Sequence, residues 1–150
     1  MLPTKIYEDM QRETLEGREL EASVLFRAAQ KLRHCASTWQ DNPTAEFDDD
    51  LTDSLQFNQR LWSFLQTELS NPANALPETL RLNLLRLGKF IDKRIFTLFA
   101  GGGTMEDLLS IARVNERIAE ALQAQAANVN SHIGPEEATL SSRGFLNIAG

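Results

Sequence analysis

Apolar residues along the chain recur at steps of three and four, and four stretches carry that pattern. In the first, about residues 13–39, Leu25, Ala29, Leu32, Ala36 and Trp39 follow at steps of 4, 3, 4 and 3, which puts them on one face of a helix. Leu20 and Val24 extend this stripe backwards, and Ile6, Tyr7 and Met10 predict one or two separate helical turns before it. Gly17 weighs against helix near the start of the stretch by about 1 kcal/mol. The second stretch, 44–70, carries Leu51, Leu55, Asn58, Trp62, Leu65 and Leu69, a heptad-like seam with one polar member. Asn42 or Thr44 is placed to cap it, and Glu46, Asp48, Asp49 and Asp50 lie in its first turns, where the helix dipole favours negative charge. The third opens at Pro77, suited to a first helical turn, and its stripe is Leu80, Leu84, Leu87, Ile91, Ile95 and Leu98. The fourth begins with Thr104 and Asp107, a capping-box variant, and continues through Met105, Leu108, Ala112, Asn115, Ala119 and Leu122, widened by Leu109, Ile111 and Ile118.

Asn42-Pro43, Asn71-Pro72 and Gly101–Gly103 punctuate these stretches, as turn-forming pairs and glycine stops do. No run alternates with period two, so no strand is predicted. The fold class that follows is all-α, a small helical bundle of three to four main helices. From Gln125 the periodicity fades, and residues 125–150 read as a flexible polar tail with one apolar cluster, Phe145, Leu146 and Ile148.

Charge narrows the function classes. The chain has 15 Lys and Arg against 21 Asp and Glu, a net charge of −6, and phosphate-driven nucleic-acid binding needs a basic face. Arg86, Lys89 and Lys93 do line one side of the third helix, but three charges make a weak phosphate contact. No apolar stretch has the length of a membrane span, and the first residues, MLPTKIYEDMQRE, carry no apolar leader. A soluble cytoplasmic protein is expected.

Catalytic templates find little. Gly101–Thr104 precedes a helix but lacks the lysine of a phosphate-binding loop. Cys35 stands beside His34, and adjacent residues on a helix do not face each other. One cysteine and two histidines are too few for a zinc site of Cys/His type. No catalytic residue, cofactor or metal is expected, and the protein reads as a non-enzyme.

What remains is a surplus of apolar residues on the third helix. Leu82, Leu85, Phe90, Phe96 and Phe99 lie outside or at the edge of its stripe. Leu85, Phe96 and Phe99 share one side, which makes them the candidate partner-binding surface for an amphipathic helix. Asn58 is expected to be buried and hydrogen-bonded to the loop at 71–77, and Trp62 to anchor the core.

The run from Phe57 to Phe96 closely resembles the bacterial flagellar biosynthesis regulator FlaF of alphaproteobacteria. Asn58, Arg60, Leu61 and Trp62 resemble an N-x-[RK]-L-W element of that family; Asn71, Pro72, Asn74, Leu76 and Pro77 resemble its inter-helix loop; Arg81, Asn83, Leu87 and Phe90 resemble its next helix. The stretch GRELEASVLFRAAQKL resembles its first helix. The resemblance covers roughly residues 4–122 and implies a FlaF-like helical domain at 4–124 followed by the tail at 125–150. It implies a flagellar regulator that binds flagellin as an export chaperone-like factor and is needed for flagellin synthesis and secretion, with FlbT as a second partner. The alternative is a post-transcriptional regulator acting on flagellin mRNA together with FlbT.

Overall fold

The computed structural model describes residues 2–39 and 49–131, with the side chains of 17–39, 49–124 and 127. Four helices carry these residues: α1 (Leu2–Ser37), α2 (Asp49–Ser70), α3 (Glu78–Phe99) and α4 (Met105–Ser131). The described residues form no strand. Successive helices run antiparallel, and each packs on the next, with α4 returning to α1 to close the ring. This is an up-down-up-down bundle. The α1–α4 seam is the closest of the four and the α3–α4 seam the loosest. Alanine explains the closeness: Ala22, Ala28, Ala29 and Ala36 of α1 and Ala112 and Ala119 of α4 are all buried, and short side chains let helix axes approach.

The core follows the predicted stripes. Leu25, Leu32, Leu51, Leu55, Trp62, Leu80, Ile91, Ile95, Leu98, Leu108 and Ile111 are almost fully enclosed. Of the other expected members, Val24, Trp39, Leu65 and Leu87 are half-buried and two are exposed. Leu20 is 66% exposed and Met105 43%; Leu20 lies on the groove side of α1, and Met105 begins α4, where the facing helices offer it no cover. The separate turns expected around Ile6–Met10 are instead part of one 36-residue helix, because a single Gly17 is too small a penalty to interrupt a helix once it propagates. At the other end α4 continues to Ser131, past Gln125, since the Ala- and Gln-rich residues there favour helix without an apolar stripe. The tail beyond Ser131, with Phe145, Leu146 and Ile148, lies outside the described residues, as do Asn42, Thr44, Glu46 and Asp48.

The turns are built by side chains the sequence supplies at fixed places. In the α2–α3 loop, Asn71 Oδ1 accepts from the Ala73 amide and Asn74 Oδ1 from the Leu76 amide, each at 2.9 Å. Asn74 Nδ2 also donates to the Glu68 carbonyl at 3.0 Å, and Arg81 reaches the Leu69 carbonyl at 3.4 Å, so the last carbonyls of α2 are covered. Pro77 stands just ahead of α3 as its N-cap. Helix α3 ends in a Schellman turn: Gly101, with φ +82°, donates to Leu98, and Gly102 donates to Thr97, each at 3.1 Å. Helix α4 starts with the expected capping box, in which the Thr104 amide donates to Asp107 Oδ2 at 2.7 Å and the Asp107 amide to Thr104 Oγ1 at 3.3 Å.

Each seam of the ring carries a polar clip. Arg33 holds Glu116 through two bonds, at 2.8 and 2.6 Å, across α1–α4. Lys31 meets Asp53 at 3.0 Å across α1–α2, and Gln66 meets Asp92 at 2.9 Å across α2–α3. Arg94 pairs with Asp107 across α3–α4. The exposed clips contribute about 0–1 kcal/mol each, whereas Asp107 of the α3–α4 pair is buried.

Candidate functional site

Helix α2 presents two faces, and both bear on function. Its inner face places Trp62 and Asn58 in the centre of the bundle, 1% and 0% exposed. Trp62 Nε1 donates to Asn115 Oδ1 at 2.9 Å, Asn115 Nδ2 donates to Asn58 Oδ1 at 2.7 Å, and Asn58 Nδ2 donates to the Ser54 carbonyl at 2.9 Å and the Ala28 carbonyl at 3.3 Å. The burial of Asn58 agrees with its place in the seam. Its partners do not: the loop at 71–77 plays no part, because Asn58 sits mid-helix, level with Ala28 and Asn115, and the loop lies three turns further on.

The outer face of α2 is a second apolar stripe. Phe57, Leu61 and Phe64 recur at steps of 4 and 3, with Glu68 one turn beyond. With Gly17, Leu20, Glu21 and Val24 of α1 they line a groove between the two helices, joined by Arg60. Phe64 is 55% exposed, and Leu20 opposite it is still more so. Two cations of α1 attend the aromatic end: Lys31 Nζ lies 5.2 Å and the Arg27 guanidinium 5.9 Å from the Phe57 ring centre.

A cavity of about 290 Å³ adjoins the groove, shares Gly17, Glu21 and Glu68 with it, and is lined further by Arg18, Leu25, Trp62, Leu69, Leu84, Ile118 and Leu122. Glu21 and Glu68 face each other where the two meet. Burial pushes the Glu21 carboxyl up to about 7; the hydrogen bond to Glu68 and the Glu68 charge add to the rise, and Arg18 opposes it. A carboxyl so placed holds its proton to higher pH than a solvated one does.

The surface expected on α3 is also present, in a different form. Phe96 is 75% exposed and Phe99 37%. They border a shallow groove with Gln59, Ser63, Asp92, Lys93, Ile95 and Thr97, whose exposed lining is mainly apolar. Leu85 does not line it; it is half-buried against the core. Leu82 and Phe90 are exposed off the main stripe, as the sequence predicts, and the Arg94 guanidinium covers the Phe90 ring at 4.8 Å. Arg86, Lys89 and Lys93 are all exposed.

A family model for the flagellar protein FlaF matches residues 3–122. This chain belongs to the FlaF family. No curated protein and no solved structure matches it. The residues that resemble FlaF now have positions. Asn58 and Trp62 build the buried network, whereas Arg60 and Leu61 face the α1–α2 groove. Asn74 and Pro77 shape the loop, Leu76 closes it over the cavity, and Leu87 packs on the core. The Asn58–Trp62 stretch of α2 therefore combines two residues that fix the bundle with two that line its outer groove.

The other sequence candidates are structural. Cys35 is buried, with Sγ 3.3 Å from Ser54 Oγ, and His34 points away from it toward Asp50 at 4.0 Å. The amides of Gly101 and Gly102 are engaged in the Schellman turn. Among the described residues no three His, Cys, Asp or Glu side chains gather to hold a metal ion, and no helix is long and apolar enough to cross a membrane.

Proposed function

We propose that this FlaF family protein is a cytoplasmic, non-enzymatic flagellin-binding factor, acting as an export chaperone that supports flagellin synthesis and secretion, with the regulator FlbT as a second partner. The α1–α2 groove carries the reading. It is a largely apolar groove with Leu20 and Phe64 open to solvent, and amphipathic helices bind apolar grooves through their apolar face. The terminal helices of a flagellin are amphipathic and prone to aggregate when free. Covering about 600 Å² of apolar surface at ~25 cal/mol/Å² gives a gross gain of about 15 kcal/mol, enough for micromolar or tighter binding after association costs.

Calorimetry with purified flagellin tests this. Leu20→Ser/Phe64→Ser should remain folded and lose at least roughly thirtyfold in affinity, since each central anchor contributes about 2 kcal/mol or more. Phe96→Ala/Phe99→Ala measures the competing surface on α3; if that pair alone loses binding, the seat is α3. Wild-type protein that ignores flagellin refutes the chaperone reading. The exposed Arg86–Lys89–Lys93 stripe supports the second reading, direct action on flagellin mRNA. RNA binding that weakens steeply with salt and vanishes when the three are changed to Gln would favour it.

A further inference from the structure

The cavity beside the groove lies at the end of the bundle from which the chain leaves α4. Ala75 and Leu76 of the α2–α3 loop line it, together with Ile118 and Leu122 of α4. Leucines, Trp62 and Ile118 make most of its wall, and Arg18, Glu21, Glu68 and Asn74 are its polar members. It reaches the surface, since Glu68 and Ala75 of its lining are exposed. At about 290 Å³ it is roughly twice the ~150 Å³ that holds a benzene ring.

Two longer stretches of the chain lie outside the described residues, 40–48 and 132–150. The first joins α1 to α2 at the opposite end: about 24 Å of α1 separates Glu21 on the cavity from Ser37, and Phe47 is the one large apolar residue of that stretch. The second starts close by. Ser131 stands about 14 Å along α4 from Leu122, and residues 132–144 span at most roughly 45 Å. Gly134-Pro135 is a turn signal that lets the chain reverse toward the cavity, and Phe145, Leu146 and Ile148 follow as the apolar cluster. Tethering favours this occupant over a free one. A segment on so short a linker has an effective concentration on the order of millimolar. A contact with an intrinsic Kd of only about 0.1 mM is then closed roughly nine-tenths of the time.

We propose that residues 132–150 fold back over the loop end of the bundle and seat Phe145, with Ile148 beside it, in the cavity walled by Leu84, Ile118 and Leu122. One aromatic and one branched aliphatic side chain match a space of about two benzene volumes. The tail is a built-in occupant that a partner has to displace: the cavity shares Gly17, Glu21 and Glu68 with the α1–α2 groove, so a seated tail crowds the adjoining helix seat. This competition rests on the groove being the seat of flagellin; the docking of the tail does not. Closure for nine-tenths of the time lowers a competitor's apparent affinity about tenfold.

The full chain is used for the test. NMR on methyl- and Phe-labelled protein should show through-space contacts from the Phe145 ring to the methyl groups of Leu84, Ile118 and Leu122, unchanged on dilution. Phe145→Ser/Ile148→Ser should shift those methyl signals and leave the helical circular dichroism as it was. Absent contacts, or methyl signals that ignore the variant, overturn the docking; contacts that fade on dilution overturn it too, because they put the tail in a second copy. Calorimetry with flagellin reads the competition. The variant should bind about tenfold more tightly than wild type. Equal or weaker binding, with the NMR contacts present, overturns the competition. If neither protein binds flagellin while the contacts persist, the chaperone reading fails and the docked tail stands.

Discussion

Asn115→Leu should be far more damaging than its modest change in size implies. The side chain is fully buried and holds two bonds, accepting from Trp62 Nε1 at 2.9 Å and donating to Asn58 Oδ1 at 2.7 Å. Leucine fills a similar volume but leaves the Trp62 N–H and the Asn58 oxygen in the core without partners. Each stranded group costs about 1–3 kcal/mol, so the two together cost about 2–6. Extra apolar burial returns about 1–2 kcal/mol, leaving a net loss near 3 kcal/mol. That is a large part of the roughly 5–15 kcal/mol that holds a domain, and it should lower the melting midpoint by about 10 °C. Urea unfolding followed by circular dichroism gives the free energy directly. Asn58→Leu should also destabilise, by stranding the Asn115 amide. The double variant decides the matter: with both amides gone only the Trp62 N–H is unsatisfied, so it should be less damaged than the two single losses added together, by about 2 kcal/mol or more. Additivity within about 0.5 kcal/mol, or an Asn115→Leu protein as stable as wild type, would refute the network argument.

Three further outcomes follow from the geometry. Because the Glu21 carboxyl sits at about 7 in the folded chain against an ordinary 4.5, the folded state holds the extra proton between those values; its stabilisation is full below about pH 4.5 and is lost as pH rises through 7. Glu21 is partly solvated, so the loss should stay near 1 kcal/mol, and Glu21→Gln should flatten the fall in melting midpoint between about pH 5 and pH 8. Burial raises the Asp107 carboxyl, yet the Thr104 amide, Arg94 and the Thr104 hydroxyl together hold it below its ordinary value; its contribution is lost only as pH falls through that depressed value, and Asp107→Ala should cost about 1–2 kcal/mol at neutral pH by urea titration. Gly103→Ala should cost about 1–3 kcal/mol, since the new Cβ would lie 2.8 Å from Leu98 Cγ and 3.2 Å from its Cα, whereas Gly102→Ala, with Thr97 Cγ2 3.7 Å away as its nearest contact, escapes that clash, and the gap between the two melts reads the crowding.

Helix positions and the core were legible because a single period of 3.6 carries them. The Thr104–Asp107 cap and the burial of Asn58 and Trp62 could be read for the same reason: each depends on neighbours in sequence or on a seam position. The hydrogen-bond partners of Asn58 could not, since Ala28 and Asn115 sit on two other helices and periodicity says nothing about which helices meet or at what level. The groove was half visible. Phe57, Leu61 and Phe64 form a regular second stripe on α2, overshadowed by the leucine seam beside it, and Leu20 looked like core because its spacing matched. Whether such a residue is covered depends on how far apart α1 and α2 stand, a tertiary quantity. Leu85, by contrast, has the spacing of a surface residue and packs inward.

The seam that closes the ring also sets the order in which the protein can be completed. Arg33 and Glu116, which join α1 to α4, are 83 residues apart. At a synthesis rate of roughly 5–20 residues per second, α1 waits several seconds for the helix that covers it. During that interval Leu25 and Leu32 have only the α2 side to lean on, while the α2–α3 hairpin can already pair locally. A chain halted before α4 would present an open alanine- and leucine-lined trough, a substrate for proteases and a seed for aggregation. Burial of the inner face of α1 therefore waits on one event, the arrival of α4.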